Sequence, residues 1–406
     1  MERSVIESRK ELKRNRIMQT VRYHDGISRS DVKKLTGYSM TTVLNLIEEL
    51  LERGILQEEE CTDLRTGRRP TWLHLRAEGA YSIGVEFNAD LMSCVVVDLT
   101  GKVLHQTVWH MQADAPSQQV MDMVCRAVDE AREFLGDRAA ALVGIGVGVP
   151  GYLERKTGIA LEYAHMPAWK NVAVKQILQQ HCQCPVWVEN NINTTAIAYR
   201  FQKYQEVAED FVLVSIKFGI RMGIYLNNHL FVGGGNAGEI GHIRLANGYR
   251  YCSCGQRGCL DTEASFKAVR NKIMERMECG QFANIRRLTG GDPEKITMDM
   301  LVEQVVADDE DAKELLEETA AYLGQGLSMV LASLNPRHIV VATKSGMGGT
   351  FFANSLHRVM KKLAPPGLTR DLEVCCVRVG DIMGAVGAAL MAMEQAFPVA
   401  PLEFDP

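Results

Sequence analysis

From residue 81 onward the sequence alternates between β-rich and helical segments, and the alternation occurs twice. The first series contains three β-rich stretches over 81–111, a helix at about 117–135, a buried strand in ALVGIGVGVPG, a helix at 171–181 and a strand in CPVWVEN. The second contains strands in FVLVSIKFGIRMGIYLNNHLFVGG, helices over 264–335 and late strands in HIVVAT and EVCCVRV. Strands that alternate with helices predict two α/β lobes with a cleft between them.

The residues before about 78 have a different, mainly helical pattern. Apolar positions recur at helical spacing in ELKRNRIMQTVRYH. Next, Ser28 or Ser30 can cap a short helix whose Val32 and Leu35 face inward. A longer amphipathic helix follows in YSMTTVLNLIEELLERG, with Ser39 as its candidate N-cap. A short helix, a turn that contains glycine and a longer helix predict a helix-turn-helix.

In a helix-turn-helix the second helix lies in the major groove of DNA. The small polar and apolar residues at its start are therefore candidate DNA contacts, namely Ser39, Met40, Thr41, Thr42 and Asn45. The segments ILQEEE and TWLHLRA can pair as a two-stranded wing with CTDLRTGRRP at its tip. A minor groove attracts guanidinium groups, so the tip arginines are further candidates, namely Arg65, Arg68 and Arg69.

The charge distribution permits this interpretation of the head. Residues 1–76 hold fifteen Lys and Arg against twelve Asp and Glu, a net +3, and the whole chain carries −5, which leaves −8 for the rest. A mildly basic end permits binding to nucleic acid. The alternative is a three-helix interaction domain with a solvated basic face. Packing explains two adjacent arginines between glycine and proline at a hairpin tip poorly, and this favours DNA binding.

Three cysteines and one histidine are clustered in GEIGHIRLANGYRYCSCGQRGCLD. Cys252, Cys254 and Cys259 form a C-x-C-x4-C run, and His242 precedes it by ten residues. Three thiolates and one imidazole are a ligand set typical of a structural zinc site, in which no coordination position is open for catalysis. The alternative is a group of reduced cysteines that simply pack together.

The compartment is indicated by what the sequence lacks. No apolar run reaches the roughly 18 residues of a transmembrane helix, and MERSVIESRKELKRNR has no apolar segment typical of a signal peptide. Eleven cysteines would also be few for a disulfide scaffold in a chain of 406 residues. We therefore expect a cytoplasmic protein with reduced cysteines and no contact with a membrane.

Several motifs together resemble the ROK family of sugar kinases and transcriptional repressors. They are the RTGRRP wing, GVPG at 148–151, VENNIN at 188–193, GEIGH at 238–242 and CSCGQRGCLD. GEIGH followed by the cysteines is specific to that family, and the DNA-binding head is similar to its xylose-repressor and N-acetylglucosamine-repressor branch. The resemblance covers essentially the whole chain and implies an α/β fold of two actin-like, ribonuclease-H-like ATPase lobes.

The chain then divides into three parts. We expect a winged helix-turn-helix domain at 1–77, a first α/β lobe at 78–195 and a second α/β lobe with the zinc site at 196–380. A C-terminal helix at about 381–397 is expected to pack back on the first lobe.

The resemblance also implies a sugar-binding site between the lobes. The residues at the family's sugar-binding positions are Gly151, Asn190, Asn191, Glu239, His242 and Asp261. By this resemblance Asn190 holds a sugar hydroxyl, and Glu239 and His242 contact hydroxyls from the opposite wall. One ring nitrogen of His242 is then used for zinc and the other for the ligand. Asp261 stands where the family usually has glutamate.

The sequence departs from the family's kinases at the positions that carry their chemistry. Family kinases have an aspartate in place of Asn191, and it is the base that deprotonates the attacking hydroxyl. Asparagine cannot take up a proton at neutral pH, so general-base phosphoryl transfer lacks its base. Three nucleotide loops are also altered, at 86–90, 217–221 and 342–346, where family kinases have glycines that let the backbone approach phosphates.

These features predict a sugar-responsive transcriptional repressor of carbohydrate metabolism genes, whose zinc-containing sensor has no enzymatic activity. The expected partners are operator DNA and a sugar or sugar phosphate, and the expected assembly is a homodimer or tetramer. Two alternatives remain. One is a sugar kinase with an accessory head, and the other is a repressor controlled by a protein of a transport system instead of a sugar.

Overall fold

A helical head precedes two α/β lobes. The computed structural model describes residues 2–24, 26–60, 71–203, 209–217, 219–245, 248–346 and 349–398. The head contains, in chain order, α1 (Glu2–Arg22), α2 (Arg29–Thr36), α3 (Met40–Glu52), β1 (Leu56–Glu60) and β2 (Thr71–Leu75). The predicted wing is confirmed as an antiparallel pair in which Leu56 faces Leu75. The wing tip, with Arg65, Arg68 and Arg69, lies outside the described residues.

Two serines cap the helix-turn-helix. The Ser28 hydroxyl accepts a hydrogen bond from the backbone N–H of Asp31 at 3.2 Å, and Ser39 does the same for Thr42 at 3.2 Å. Each cap satisfies a backbone donor that the first helical turn leaves without a partner. Of the two serines considered for α2, Ser28 is therefore the cap.

The apolar face of α2 differs from the predicted one. Val32 is buried, but 52% of the Leu35 surface is exposed, so the prediction that both face inward is wrong for Leu35. The helix has only eight residues and buries Val32 together with Thr36. A residue three positions after Val32 lies about 60° away from it around the helix axis, which turns Leu35 toward solvent.

The first lobe is built on a five-stranded sheet. Its elements are β3 (Tyr81–Phe87), β4 (Leu91–Asp98), β5 (Val103–His110), α4 (Ser117–Leu135), β6 (Leu142–Val149), β7 (Tyr152–Glu154), β8 (Ile159–Glu162), β9 (Lys170–Val172), α5 (Val174–Cys182) and β10 (Val186–Asn190). The strand order is β10-β6-β3-β4-β5, with β4 antiparallel to both neighbours. Residues 171 and 172, predicted as the start of a helix, belong to β9 because this strand pairs with β8.

The second lobe repeats this sheet. After α6 (Asn191–Gln202), the elements are β11 (Phe211–Ile216), β12 (Ile220–Leu226), β13 (His229–Phe231), α7 (Asp261–Ala264), α8 (Phe266–Glu278), α9 (Ala283–Thr289), α10 (Met298–Val306), α11 (Glu310–Leu334), β14 (His338–Thr343), α12 (Thr350–Leu363), α13 (Pro366–Thr369), β15 (Glu373–Arg378) and α14 (Met383–Ala396). The strand order is β13-β12-β11-β14-β15. As in the first sheet, three consecutive strands, β11, β12 and β13, pair antiparallel, and two further strands, β14 and β15, run parallel to β11. The predicted pair of α/β lobes is therefore confirmed.

Helices α6 and α14 pack tightly against each other and against the first sheet. A Cβ on Gly387 of α14 would lie 1.6 Å from the Thr194 carbonyl oxygen of α6, and one on Gly146 of β6 would lie 1.8 Å from the Ala388 carbonyl oxygen. Only glycine permits these approaches. The expected boundary between residues 195 and 196 falls inside α6, which joins the two sheets.

None of the described helices is both long enough and apolar enough to cross a membrane.

Candidate functional site

The four predicted metal ligands converge in the second lobe. Cys252 and Cys254 lie in a small hairpin in which the Cys252 N–H donates to the Gln256 carbonyl at 2.8 Å. Cys252 Sγ is 3.6 Å from His242 Nδ1, and Cys254 Sγ is 3.6 Å from Cys259 Sγ. All four ligand atoms lie within 4.8 Å of one another.

These distances fit a tetrahedral zinc ion. Zinc bonds of about 2.3 Å to sulfur and about 2.0 Å to nitrogen place neighbouring ligand atoms roughly 3.5–3.8 Å apart. Soft thiolates with one imidazole are donors that select zinc over harder cations. The histidine nitrogen on the cysteine side is Nδ1, which leaves Nε2 of His242 for other partners.

A cavity of about 630 Å³, the large cavity, lies beside this cluster and between the lobes. Five of the six predicted sugar-binding residues line it, namely Gly151, Asn191, Glu239, His242 and Asp261. Gly151 and Asn191 come from the first sheet and the helix that follows it, whereas the other three come from the second lobe. Both lobes therefore contribute polar groups to one cavity, as is common in small-molecule sites.

The sixth predicted residue, Asn190, is not among the residues that line the large cavity. Its Nδ2 donates to the Gly151 carbonyl at 2.7 Å, and its Oδ1 accepts from the Ile192 N–H at 3.0 Å as the cap of α6. The preceding Glu189 is fully buried and paired with Arg155. These contacts fix the strand end and the loop, so Asn190 shapes the cavity wall from behind.

Asn191 faces the cavity at the first turn of α6. Its Nδ2 donates to Glu86 Oε1 at 3.3 Å and lies 3.5 Å from the Phe87 carbonyl oxygen. Burial raises the pKa of Glu86, with the Lys217 charge opposing it. Asn191 therefore donates hydrogen bonds to Glu86 and to the Phe87 carbonyl oxygen.

The wall in the second lobe carries two carboxyl groups and one arginine. Asp261 Oδ1 accepts from the Ile220 N–H at 2.6 Å. Glu239 Oε1 lies 2.6 Å from Arg221 Nη2. Burial raises the pKa of both carboxyl groups, and it does so against the opposing charges of Arg221 and His242. The carboxylate oxygens of this wall can accept hydrogen bonds from a ligand, and the guanidinium of Arg221 can donate them.

A second cavity, the small cavity, is only about 20 Å³. It is lined by residues of all three altered loops, including Glu86, Lys217 and Lys344. Lys344 Nζ pairs with Asp381 Oδ1 at 3.0 Å across it. A cavity of this size holds about one water molecule, since roughly 10–15 Å³ is needed for each. In this conformation the small cavity is too small to hold the phosphates of a nucleotide.

The candidate DNA contacts lie at the start of α3. Ser39, Met40, Thr41 and Asn45 are exposed. The hydroxyls of Ser39 and Thr42 lie 2.8 Å apart, and Ser39 also serves as the cap. Of the predicted set, Met40, Thr41 and Asn45 are therefore the ones whose side chains are not engaged in capping.

The comparison with known proteins decides the family. A model described as "ROK family" matches residues 82–395. The chain belongs to the ROK family. The xylose repressor of Caldicellulosiruptor bescii is 25% identical over 392 residues, which cover 96% of this chain and 98% of that protein.

Two solved structures place the fold within the ROK family. A ROK transcriptional regulator, a homologue of the E. coli MLC protein, matches with a TM-score of 0.80 and 21% identity over 96% of this chain and 97% of its own. A ROK glucokinase from Streptomyces griseus, solved with glucose and AMPPNP, matches with a TM-score of 0.67 and 26% identity over 78% of this chain and all of its own. The predicted family and its pair of actin-like lobes are confirmed.

Several cavity residues were not predicted from the sequence. They include Tyr152, Tyr163, His165 and Lys170 of the first lobe and Lys217 and Arg221 of the second. Lys217 and Arg221 were visible only as departures from the glycines of ROK kinases. Trp169 is fully buried and packs edge-on against Phe87 with ring centroids 5.0 Å apart.

Proposed function

We propose that this chain is a sugar-responsive repressor of carbohydrate metabolism genes, whose sensor binds a sugar and transfers no phosphate. The observation that carries the proposal is the contrast between the two cavities. The large cavity collects the family's sugar-binding residues, whereas the small cavity, at the altered nucleotide loops, measures about 20 Å³. A winged helix-turn-helix on the same chain and the likeness to a xylose repressor support a regulatory role.

In the large cavity, Asn191, Glu239, His242 and Asp261 would hydrogen-bond sugar hydroxyls, with Gly151 at the opposite rim. Asn191 donates through Nδ2 and accepts through Oδ1, but it cannot remove a proton from a hydroxyl. With no base at this position and no space for a triphosphate, binding would not lead to phosphoryl transfer.

Zinc held by His242, Cys252, Cys254 and Cys259 would be structural. With four protein ligands it has no open coordination position. His242 is part of the cavity wall and Cys254 also lines the cavity. Loss of the metal would therefore loosen the wall that carries Glu239.

Helices α6 and α14 offer a route from the cavity to the head. Asn191 begins α6, and Phe201 near its end contacts Tyr23 of the head, with ring centroids 6.4 Å apart. Gly384 of α14 abuts Glu86 beside the cavities, while Met393 at the other end joins the core of the head. A change in the angle between the lobes would reach the DNA-binding domain along these helices.

The head is also fixed to the body by polar contacts. Asn15 Nδ2 donates to the Pro398 carbonyl at 2.9 Å, and Arg22 Nη2 donates to the Leu99 carbonyl at 3.2 Å. Burial raises the pKa of Glu394, with the nearby Arg22 opposing it. A sugar can favour one angle between the lobes only if its affinity differs between the two angles. In a homodimer, the favoured angle would change the distance between the two heads.

A selection from random duplex DNA tests the repressor function. The full chain, in the cytoplasm-like reducing buffer that its cysteines require, should enrich an inverted repeat with half-sites one or more helical turns apart. Asn45→Ala should weaken binding at least tenfold, whereas Glu52→Ala at the far end of α3 should not. A single asymmetric footprint would contradict the two-headed mode, and failure to enrich any site would contradict the repressor.

A ligand screen tests the sensor and separates the alternatives. A sugar at 100 times its dissociation constant should add about 2.7 kcal/mol to the free energy of unfolding and release the DNA. ATP with Mg²⁺ and each sugar should yield no ADP above background, and turnover would restore the kinase alternative. Absence of stabilisation by every sugar and sugar phosphate would favour control by a protein partner.

A further inference from the structure

Arg221 connects the two lobes at the wall of the large cavity. Its Nη1 donates to the Gly151 carbonyl of the first lobe at 3.0 Å, and its Nη2 lies 2.6 Å from Glu239 Oε1 of the second. The guanidinium also lies over the Tyr152 ring, 5.6 Å from the centroid. An arginine has five N–H donors in a planar fork. These two hydrogen-bonding contacts leave three donors, and the side chain is one-fifth exposed toward the cavity it lines.

Two lysines line the same cavity without ion pairs. Lys217 lies on the turn that precedes Arg221, and its backbone N–H donates to the Gly219 carbonyl at 3.0 Å. Lys170 reaches the cavity from β9 of the first lobe. Within the part of the chain that the structure describes, neither ammonium group has a carboxylate within ion-pair distance. Lys217 also lines the small cavity, so it lies where the two cavities meet.

Among the described residues, the carboxylates that line the large cavity form no ion pair with Lys217, whose charge acts on the buried Glu86 of the small cavity. Glu239 is engaged with Arg221, and Asp261 accepts the Ile220 backbone N–H. Glu162, the third lining carboxylate, is exposed and lies directly opposite the exposed Lys170 across β8 and β9. A neutral sugar would offer hydroxyls to the carboxylates but no counter-charge to Lys217. A phosphate or carboxylate would, and it could also take the bidentate geometry that a guanidinium fork favours.

We propose that the ligand of the large cavity is an anionic monosaccharide, whose phosphate or carboxylate binds Arg221 and Lys217. The inference rests on the proposed sugar-sensing function and names its ligand class. The anionic group would lie on the side of the small cavity, and the ring hydroxyls would face Asn191, Glu239 and His242. Because Arg221 also holds the Gly151 carbonyl, the anion would act on a contact between the lobes, where it can favour one lobe angle.

Matched pairs of sugars test the ligand class. Glucose is compared by calorimetry with glucose 6-phosphate and glucuronate, and N-acetylglucosamine is compared with N-acetylglucosamine 6-phosphate. Xylose serves as a further neutral sugar and inorganic phosphate as the bare anion. We expect at least one anionic sugar to bind 10-fold to 100-fold more tightly than its neutral counterpart, with affinity that falls as salt rises. The phosphate and carboxylate arms identify which anion is used.

Variants of the cations test the assigned residues. Lys217→Gln should weaken binding of the anionic sugar at least tenfold and change binding of any neutral sugar less than threefold. Arg221→Gln should also weaken the anionic sugar at least tenfold, and it should weaken a neutral sugar less, through the loss of its contacts with Glu239 and Gly151. Lys362→Gln, an exposed lysine of α12 away from the cavity, is the matched control. Arg221→Lys keeps the positive charge but loses the planar guanidinium, so it should retain part of the affinity for the anionic sugar. This variant also tests the residue if Arg221→Gln does not fold.

The outcomes separate this inference from the proposed function. Equal or tighter binding of neutral sugars, with no effect of Lys217→Gln or the Arg221 variants, would overturn the anionic ligand and leave the sugar-sensing repressor intact. Inorganic phosphate that binds as tightly as every sugar phosphate would also overturn it, because the sugar ring would then contribute nothing. If no sugar of either charge binds, the proposed sensor itself fails.

Discussion

The large and small cavities share four lining residues, Asn88, Thr195, Ser215 and Lys217, yet they measure about 630 Å³ and about 20 Å³. The lobes that enclose them are the same repeated sheet, so the difference does not come from strand order. It comes from side chains. Glu86 fills the space beside Gly384, and the Lys344–Asp381 pair crosses the remainder. The cleft between the lobes is therefore wide at the large cavity and narrow at the small cavity.

The largest expected effect concerns the wall of the large cavity. Cys259→Ser removes a buried ligand of the cluster, so zinc affinity should fall by more than the 10–100-fold typical of residues that only support a ligand. Sugar affinity should fall with it, because His242 belongs to both sites. Zinc content by mass spectrometry and calorimetry with sugar measure the two effects.

Cys279→Ser, which changes an exposed cysteine outside the cluster, is the control for this variant. Absence of zinc from the unsubstituted chain would show that the cluster is a group of packed cysteines, and one equivalent of tightly bound zinc in Cys259→Ser protein would show that Cys259 is not a ligand.

The next effect tests how tightly the small cavity is filled. A Cβ on Gly384 would lie 2.6 Å from Glu86 Cγ, so Gly384→Ala should lower the free energy of unfolding by about 1–3 kcal/mol. Gly380 lines the same cavity, but no atom of the described residues lies within 4 Å of its Cβ position, and Gly380→Ala should change the free energy of unfolding by less than about 0.5 kcal/mol. Equal free energies of unfolding for the two variants in urea denaturation would mean that the residues around the small cavity rearrange at little energetic cost.

Asn191→Asp restores the residue type of family kinases and should not restore their activity. The new carboxylate has no N–H to donate to Glu86 Oε1 and the Phe87 carbonyl oxygen. The substitution should therefore lower the free energy of unfolding by about 1–2 kcal/mol. ATP consumption should stay at background because the small cavity has no space for phosphates. Asn284→Asp on the surface of α9 is the isosteric control, and sugar-dependent ATP turnover by Asn191→Asp would refute the distinction between the cavities.

The smallest effect is a pH dependence at Glu86. Burial raises its pKa in the folded chain, so the unfolded carboxyl loses its proton at a lower pH than the folded one. This group therefore stabilises the fold less as pH rises through the folded pKa. Glu86→Gln removes the titration, and its free energy of unfolding should rise relative to the unsubstituted chain between pH 5 and pH 8. Parallel pH profiles would show that Glu86 is already ionised in the fold.

Local patterns in the sequence predicted the parts of the site that depend on near neighbours. The zinc ligands lie within eighteen residues of one another, and the two serine caps bond three residues ahead. The loops around the small cavity were also indicated, since their altered residues stand where the resemblance leads one to expect glycine.

The remainder depends on contacts between distant parts of the chain. Arg221 acquires its role from Gly151, 70 residues away, and no pattern near either residue indicates that contact. Asn190 matches the family motif, but its amide is used by backbone groups, which the motif alone does not show. Leu35 fits a helical repeat, yet α2 is too short to bury more than a narrow face.

The position of α14 in the chain has a consequence for synthesis. This helix packs on β3 and β6, near the beginning of the body, but it follows them by about 250 to 300 residues, which take roughly 15–60 s to translate at 5–20 residues per second. During that interval the first sheet lacks its covering helix, and the head lacks the apolar contact that Met393 supplies. A chain released before α14 would expose the apolar surface of the head that Met393 covers. We therefore expect nascent chains of this repressor to bind chaperones until the final helix emerges.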